Sequence, residues 1–469
     1  MRRSRLSHTI AVLSALVLAS VAPVLASGVW SLGVGTEAIQ DGEYARAATA
    51  LETAARNLPW RPQLWEMAGL AAYEADDYGA AARNLQKARA QGALSPTGWQ
   101  VLGSSLWAVG YPAPAIANWL AGTAQFPDDP ELWDRLAGAY HAVGDFNAEQ
   151  AALLRRVSTE DDAAARYRLA LLLMTSEPKA AASALDAATA LNPSVAPVAE
   201  ALKVAIAGAA EAQDAATGMV VIGRSLGAVE EWLLAARAFR EATALDPSNA
   251  EARAWLGEAR QHLGEDGRAD LDAALALDRN SSVVHTLLGL YWRRQGSLGV
   301  SLAEYFRAAQ LEPQNAGVQA LLGEAQVASG NLGAALDAYQ NAVELAPGEA
   351  TYWRLLALFC ADNQVQVLDV GVAAGRKAVE LAPQDPQARD ALGWAYAQAG
   401  YLMQAEAELR RALNEDPNFG AAHVHLGTTY MRWGQNELAR EHWTEAVRLD
   451  SNSAAGRTAA DLLHTYFPE

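Results

Sequence analysis

Cysteine is almost absent: the chain of 469 residues has one, Cys360. No intrachain disulfide can form, so stability must come from packing even in an oxidising compartment. Lysine is nearly as scarce, occurring only at Lys87, Lys179, Lys203 and Lys377. No glycine precedes any of them, which excludes a phosphate-cradling P-loop. Alternating β-branched runs are few and short while alanine is abundant, so helix is expected throughout. Positive charge is in deficit, with 36 basic against 54 acidic side chains and a net charge of −18. Such a surface repels phosphate backbones and anionic headgroups, which argues against nucleic acid as a partner.

What is present is a comb of glycines. Gly35, Gly69 and Gly103 are followed by Gly223, Gly257, Gly289, Gly323, Gly393 and Gly427, at steps of 34 residues or a near multiple. A period of about 34 is the mark of a stacked helix–turn–helix array. Around Gly103 stand Trp99, Leu102, Gly110, Ala115, Trp119 and Pro127; around Gly427 stand His423, Leu426, Tyr430, Gly434, Ala439, Trp443 and Ala446. Offsets of three and four place Leu426, Gly427 and Tyr430 on one side of a first helix, and Ala439, Trp443 and Ala446 on one face of a second. The intervening glycine suits a tight turn, and a proline ends the second helix. Small residues facing one another, Gly323 and Ala335 for example, are expected to let the paired helices approach closely.

These residues resemble the tetratricopeptide repeat family, with its W-x2-L-G-x2-Y pattern followed by Ala, Phe and Pro. About twelve units begin near 28, 62, 96, 130, 163, 216, 250, 282, 316, 350, 386 and 420, covering almost everything after residue 27. The resemblance implies an all-α fold, a right-handed superhelical solenoid of stacked antiparallel helix pairs. A solenoid also escapes the size limit on single cores, because each repeat packs only on its neighbours. A helix of about 14 residues is marginal alone. Each buried aromatic contributes roughly 4–6 kcal/mol as an upper bound, so Trp65, Trp99, Trp133, Trp353 and Trp443 read as packing rather than ligand cages.

The comb breaks in places that suggest domain boundaries. Residues 28–196 form a first block of about five repeats. Pro193 and Pro247 lie one repeat plus 20 residues apart, and the surplus, 197–215, reads as an extra helix at a junction. Residues 216–451 form a second block of about seven repeats. Within it the second helix of the unit near 250 is two residues short, while the unit near 350 gains two and carries Gly371 and Gly375. Residues 452–469, apolar on one face at Ala455, Ala459, Leu462, Leu463 and Tyr466, read as a C-terminal capping helix.

Residues 1–27 are of another kind. Arg2, Arg3 and Arg5 precede an apolar run from Ile10 to Val21, then Pro23 and the small residues around Ala26. That order suits a secretory signal cleaved near Ser27, and the run extended to Trp30 is long enough for an uncleaved membrane anchor. Either reading gives an exported protein, periplasmic, at the cell surface or secreted, or one anchored by its N-terminal segment. Lysine-poor, alanine-rich usage suggests a bacterial cell envelope. Loss of the leader arginines would take the net charge to about −21.

Candidate chemistry dissolves on inspection. Gly223-Arg224-Ser225-Leu226-Gly227 matches a nucleophile elbow, but Gly223 is in repeat register and no α/β alternation surrounds it. His423 and His425, two apart on a helix, point to different faces, unlike a zinc pair at i and i+4. Asp161 and Asp162 read as a helix start, and Cys360 as an inert core thiol. No cofactor, metal or catalytic residue is expected.

In the family the first helices line the concave face, where peptides or partner helices lie. Carried onto this chain, the exposed first-helix positions are Glu66, Tyr73, Glu74, Trp107, Glu131, Asp134 and His141 in the first half. The second half holds Arg224, Glu251, Glu258, Arg293, Arg294, Glu324, Arg354, Asp390, Trp394 and Arg432. The family's carboxylate clamp needs lysine and asparagine in consecutive repeats, and neither stands at these positions. The first set is mainly acidic with two aromatics and suits a basic or amphipathic segment; the second mixes arginine with acids and suits a mixed or carboxylate-bearing one. The expected role is a non-catalytic scaffold or adaptor for protein or peptide partners, with a self-associating structural envelope component as the alternative and an enzyme as a third, disfavoured reading.

Overall fold

A computed structural model describes residues 22–468, and among these the chain is helical with no strand. The expected leader falls mostly at 1–21, outside the described residues. The chain divides into two compact units, 1–238 and 239–469. The extra helix at Ala196–Ala210 lies inside the first unit, packed on the helices Pro178–Leu191 and Ala215–Ala228. Among the described residues, the stretch Pro193–Ala210 is the one long and apolar enough to span a membrane by length and composition.

In each unit, consecutive helices of 10 to 15 residues pack as pairs, for example Gln63–Glu74 with Tyr78–Ala90 and Gly420–Arg432 with Asn436–Leu449. Turn glycines sit between paired helices in the left-handed region, Gly330 at φ 75° and Gly434 at φ 79°. That conformation is strained for any residue with a Cβ. First helices start on side-chain caps: Asp129, Asp162, Asn249, Ser281 and Asn315 each accept a hydrogen bond from the backbone N–H three residues on. Asp162 thus does begin a helix, and such a cap typically contributes about 1 kcal/mol.

The comb glycines meet a bulky partner as well as small ones. A Cβ on Gly323 would lie 3.1 Å from the Tyr339 ring. The large residue 16 positions on recurs as the neighbour: Leu51 for Gly35, Leu85 for Gly69, Trp119 for Gly103, Tyr305 for Gly289, Leu409 for Gly393 and Trp443 for Gly427. Glycine therefore makes a socket for a bulky side chain, and small residues meet beside it: a Cβ on Gly427 would lie 3.1 Å from the Ala439 carbonyl, and one on Gly257 2.8 Å from the Gly267 carbonyl. Trp443 and Tyr305, both fully buried, fill theirs completely. In the unit whose second helix is cut to Arg268–Leu277, the socket of Gly257 meets Leu271 instead, 14 positions on.

A second device joins repeats. The fourth residue of a first helix donates a side-chain N–H to the carbonyl six residues back, in the preceding turn. Trp133 reaches Pro127 (2.8 Å), Gln319 reaches Pro313 (3.2 Å) and Trp353 reaches Pro347 (2.9 Å). His285 reaches Arg279 (3.0 Å) and His423 reaches Pro417 (3.1 Å). A carbonyl only accepts, so both histidines carry a proton on Nε2.

The two-residue gain near 350 is absorbed after Ala350–Asn363 by left-handed Gln364 and Gln366 and a π turn, Val367–Gly371, before the helix Val372–Leu381. Gly371 is required there, since a Cβ would sit 2.8 Å from that of Cys360. Cys360 is fully buried, and burial pushes its thiol up to about 12. The last helix, Ala454–Tyr466, covers Trp443 and Val424 with Ala455, Ala459, Leu462 and Leu463. The apparent nucleophile elbow lies within the helix Ala215–Ala228, with Ser225 Oγ hydrogen-bonded to the Ile222 carbonyl.

Candidate functional site

In the first unit, first helices from four successive repeats converge on an open pocket of about 380 Å³. Tyr73 comes from Gln63–Glu74, Ser104 and Trp107 from Pro96–Ala108, Asp134, Arg135 and Gly138 from Pro130–Ala142, and Arg168 from Ala163–Leu173. The repeat sets the spacing: Tyr73 and Trp107 are one period apart, as are Asp134 and Arg168. Small residues hold the pocket open. Ala108, Ala139 and Ala142 line it, and a Cβ on Gly138 would meet nothing within 4 Å. Trp107 leans on Trp119, ring centroids 6.1 Å apart, and Tyr73 meets Tyr78 edge-on at 5.4 Å.

The pocket's charge is arranged from beneath. Glu149, 1% exposed on the second helix Phe146–Thr159, accepts from Arg168 at 3.0 Å and lies 3.0 Å from His141 Nδ1. A buried carboxylate needs such partners. The Glu149 hydrogen bond raises the His141 pKa above its ordinary value against the opposing effect of burial. Arg168 also lies 3.9 Å from Asp134, and Arg135 pairs with Glu131 at 2.7 Å. The lining therefore has one carboxylate and two guanidinium groups, rather than the acidic face expected.

The other first-half candidates divide. Glu74 is exposed. Glu66 is turned into the scaffold, accepting from the Ser95 N–H (2.9 Å) and hydroxyl (2.5 Å) at the start of the next repeat. Gly98 makes room for it, as a Cβ there would fall 2.2 Å from the Glu66 carboxylate. Arg135, Arg168 and Glu149 escaped the sequence reading. The 34-residue interval from Asp134 to Arg168 was a usable signal for one of them.

In the second unit the first-helix charges are joined to one another across repeats. Glu258 and Asp390 were expected to be exposed, but each is 3% exposed. Glu258 takes a two-pronged pair from Arg294, 2.7 and 2.6 Å, from the following repeat. Asp390 accepts from His425 Nδ1 at 2.8 Å. Burial works to lower the His425 pKa, yet the charge and hydrogen bond of Asp390 leave it raised. Each acid is paired with a basic side chain from the next repeat's first helix, Arg294 over Glu258 and His425 beside Asp390.

Trp394 lies flat on His425, centroids 4.3 Å apart at 9°, and donates to Asp362 at 2.7 Å. Arg432 caps that stack 5.8 Å above the Trp394 ring and donates to the Ala397 carbonyl at 3.0 Å. Arg293 pairs with Glu324, and Glu251 accepts from Trp255 at 3.3 Å. Arg354 is half-buried, and Arg224 is exposed on its helix. The structure thus brings Asp390 and Trp394 together, and Glu258 with Arg294, but as inter-repeat joints. Among the described residues, no group of three or more His, Cys, Asp or Glu is placed to hold a metal.

A tetratricopeptide repeat family profile matches residues 34–96, 220–269 and 321–386. The TPR repeat-containing thioredoxin TTL4 of Arabidopsis thaliana is 36% identical over 66 residues, 14% of this chain. That match spans 10% of the relative's own length. Among solved structures, YrrB, described as a TPR protein with an unusual peptide-binding site, is 20% identical over 41% of this chain and 97% of its own, with TM-score 0.30. The Cut9–Hcn1 hetero-tetramer of the APC/C is 13% identical over 94% of this chain and 90% of its own, with TM-score 0.42.

Proposed function

We propose, from the premise that this chain is a tetratricopeptide repeat protein, that it is a non-catalytic scaffold. It holds peptide segments or partner proteins along the concave face of its first helices, within a bacterial cell envelope. The observation that carries the reading is the pocket of the first unit. Two aromatic rings, Trp107 and Tyr73, stand beside Arg168 and Asp134 in a cleft kept open by Gly138. Such a cleft buries the apolar side chain of an extended segment, with charged groups at its edge to fix register. A segment carrying an apolar anchor next to a carboxylate meets both Trp107 and Arg168. Export along the leader, with or without retention of the N-terminal segment, brings the array to envelope partners.

A substitution that fills the cleft without disturbing the fold tests this. Gly138→Leu places its side chain in open space and improves helix propensity by up to about 1 kcal/mol. Peptides selected on the full-length wild-type protein from a random display library should bind the variant at least tenfold more weakly by calorimetry, with its melting temperature unchanged or raised. Equal affinity for both proteins excludes this pocket as the recognition site.

A further inference from the structure

Large apolar side chains stand uncovered at the N-terminal end of the first unit. Trp30 is 71% exposed, Val29 63%, Trp60 61% and Val24 46%. They share one end of the fold. The helix covering 22–40 is followed by the helix Tyr44–Asn57 running back beside it. A Cβ on Gly28 would lie 2.8 Å from the Leu58 side chain, and Asn57 reaches the Ser27 hydroxyl at 3.4 Å. Trp60 follows two residues past Leu58, in the turn that leaves this same end. Over 22–27 the helix leaves every residue but the half-buried Leu25 exposed, although only Ser27 is polar.

The sequence before this end says what covers it. From Ile10 to Trp30 there is no Asp, Glu, Lys or Arg. That stretch has the roughly 20 residues a bilayer core requires. Arg2, Arg3 and Arg5 stand before it, as cytoplasmic flanks do, and tryptophan concentrates where a span leaves the hydrocarbon. Exposed tryptophans at the base of an otherwise acidic, well-packed array fit that layer, since indole combines an apolar body with one N–H donor.

We propose that the N-terminal end of the first unit seats on a lipid bilayer, with Trp30 and Trp60 in the headgroup layer and the apolar stretch before them retained as the anchor. This goes beyond the peptide-binding reading and does not depend on it. The first repeat then stands directly on the membrane with no linker between them, because Ser27 and Gly28 already pack against Asn57 and Leu58.

The test uses the full chain in phosphatidylcholine vesicles. Trp30→Cys and Trp60→Cys accept an environment-sensitive fluorophore, while buried Cys360 stays unlabelled. Trp433→Cys, at a tryptophan 36% exposed in the second unit, is the control. Vesicles should shift the emission at positions 30 and 60 to the blue and shield it from iodide, and leave position 433 unchanged. Absence of a shift at 30 and 60 overturns the proposal. So does a shift that needs no lipid but grows with protein concentration, which assigns the face to a second copy. A native protein whose chain begins at Ser27 or a near neighbour also overturns it. None of these outcomes alters what Gly138→Leu reports about the peptide site.

Discussion

The two units put the same face to different use. In the first, positions that look outward from the first helices carry Tyr73 and Trp107, and the repeats beside them answer with Ala108, Gly138, Ala139 and Ala142. Nothing fills the space, and a pocket results. In the second, the corresponding positions carry charged and basic groups, and three pairs join one repeat to the next: Glu258 with Arg294, Arg293 with Glu324, Asp390 with His425. The space closes into inter-repeat joints. A fixed period places side chains at fixed separations. Whether neighbours are small or complementary then decides between an opening and a rivet.

The widest gap between the units should appear on deleting a rivet. Glu258→Ala leaves Arg294 without its partner, and breaking a buried pair costs several kcal/mol. Arg294 can hydrate in part, being 38% exposed, so about 2–3 kcal/mol is expected. Denaturant unfolding of this variant beside Tyr73→Ala, which should lose less stability, measures the difference. Equal losses would erase the distinction between rivet and pocket lining.

Acid should act next, and unevenly within the second unit. One slot pairs the fourth residue of a first helix with a residue 19 positions on: His285 with Glu304 at 2.6 Å, Arg389 with Glu408 at 3.0 Å, His423 with His442 at 2.9 Å. Only the last lacks an acid. His423 spends its Nε2 proton on Pro417, so its Nδ1 accepts from His442. His442 packs on the Tyr430 ring, with Glu441, Glu445 and Arg410 around it. Burial, with the neighbouring His423, lowers the His442 pKa to about 4.

The folded state therefore refuses a proton that the unfolded chain accepts below about 6.5. Stability contributed by neutral His442 is intact above that pH and falls as pH drops toward 4, by about 1–3 kcal/mol. His285, whose pKa is raised first by its bond to Glu304, has the opposite sign: its contribution is full below about 6.5 and is lost as pH rises through its folded value. Hydrogen exchange at pH 5 against pH 7.5 should show the helix Asn436–Leu449, which carries His442, loosening while 282–311 hold; His425 on the helix before it, raised by Asp390, has the sign of His285. His442→Gln should flatten the C-terminal response, and an unchanged profile would remove His442 as its source.

The smallest effect belongs to the exposed rim. Glu324, 54% exposed, pairs with Arg293, and Glu324→Gln should cost less than about 0.5 kcal/mol. A larger loss in thermal melting would mean that exposed pairs also hold the second unit together.

The period, the turn glycines, the extra helix at Ala196–Ala210, the shortened helix at Arg268–Leu277 and the capping helix were all legible in the sequence. Each is a local matter of spacing, propensity or insertion length. The latch from the fourth residue to the carbonyl six back was equally available, as Trp133, His285, Gln319, Trp353 and His423 all carry side-chain N–H groups in register. What faces what across helices was not. Gly323 and Ala335 share a face with many residues, and only packing decides that Tyr339 fills the socket. Glu258 and Asp390 occupy positions that a lone repeat exposes; the next repeat's Arg294 and His425 bury them. The pocket likewise exists because four repeats leave one volume empty. Sequence by itself determined the helices, their register and their ends, since those follow from interactions a few residues apart. The tertiary structure alone decided which groove charges are free to meet a partner, because the groups that take up Glu66, Asp390 and Glu258 lie 29, 35 and 36 positions away.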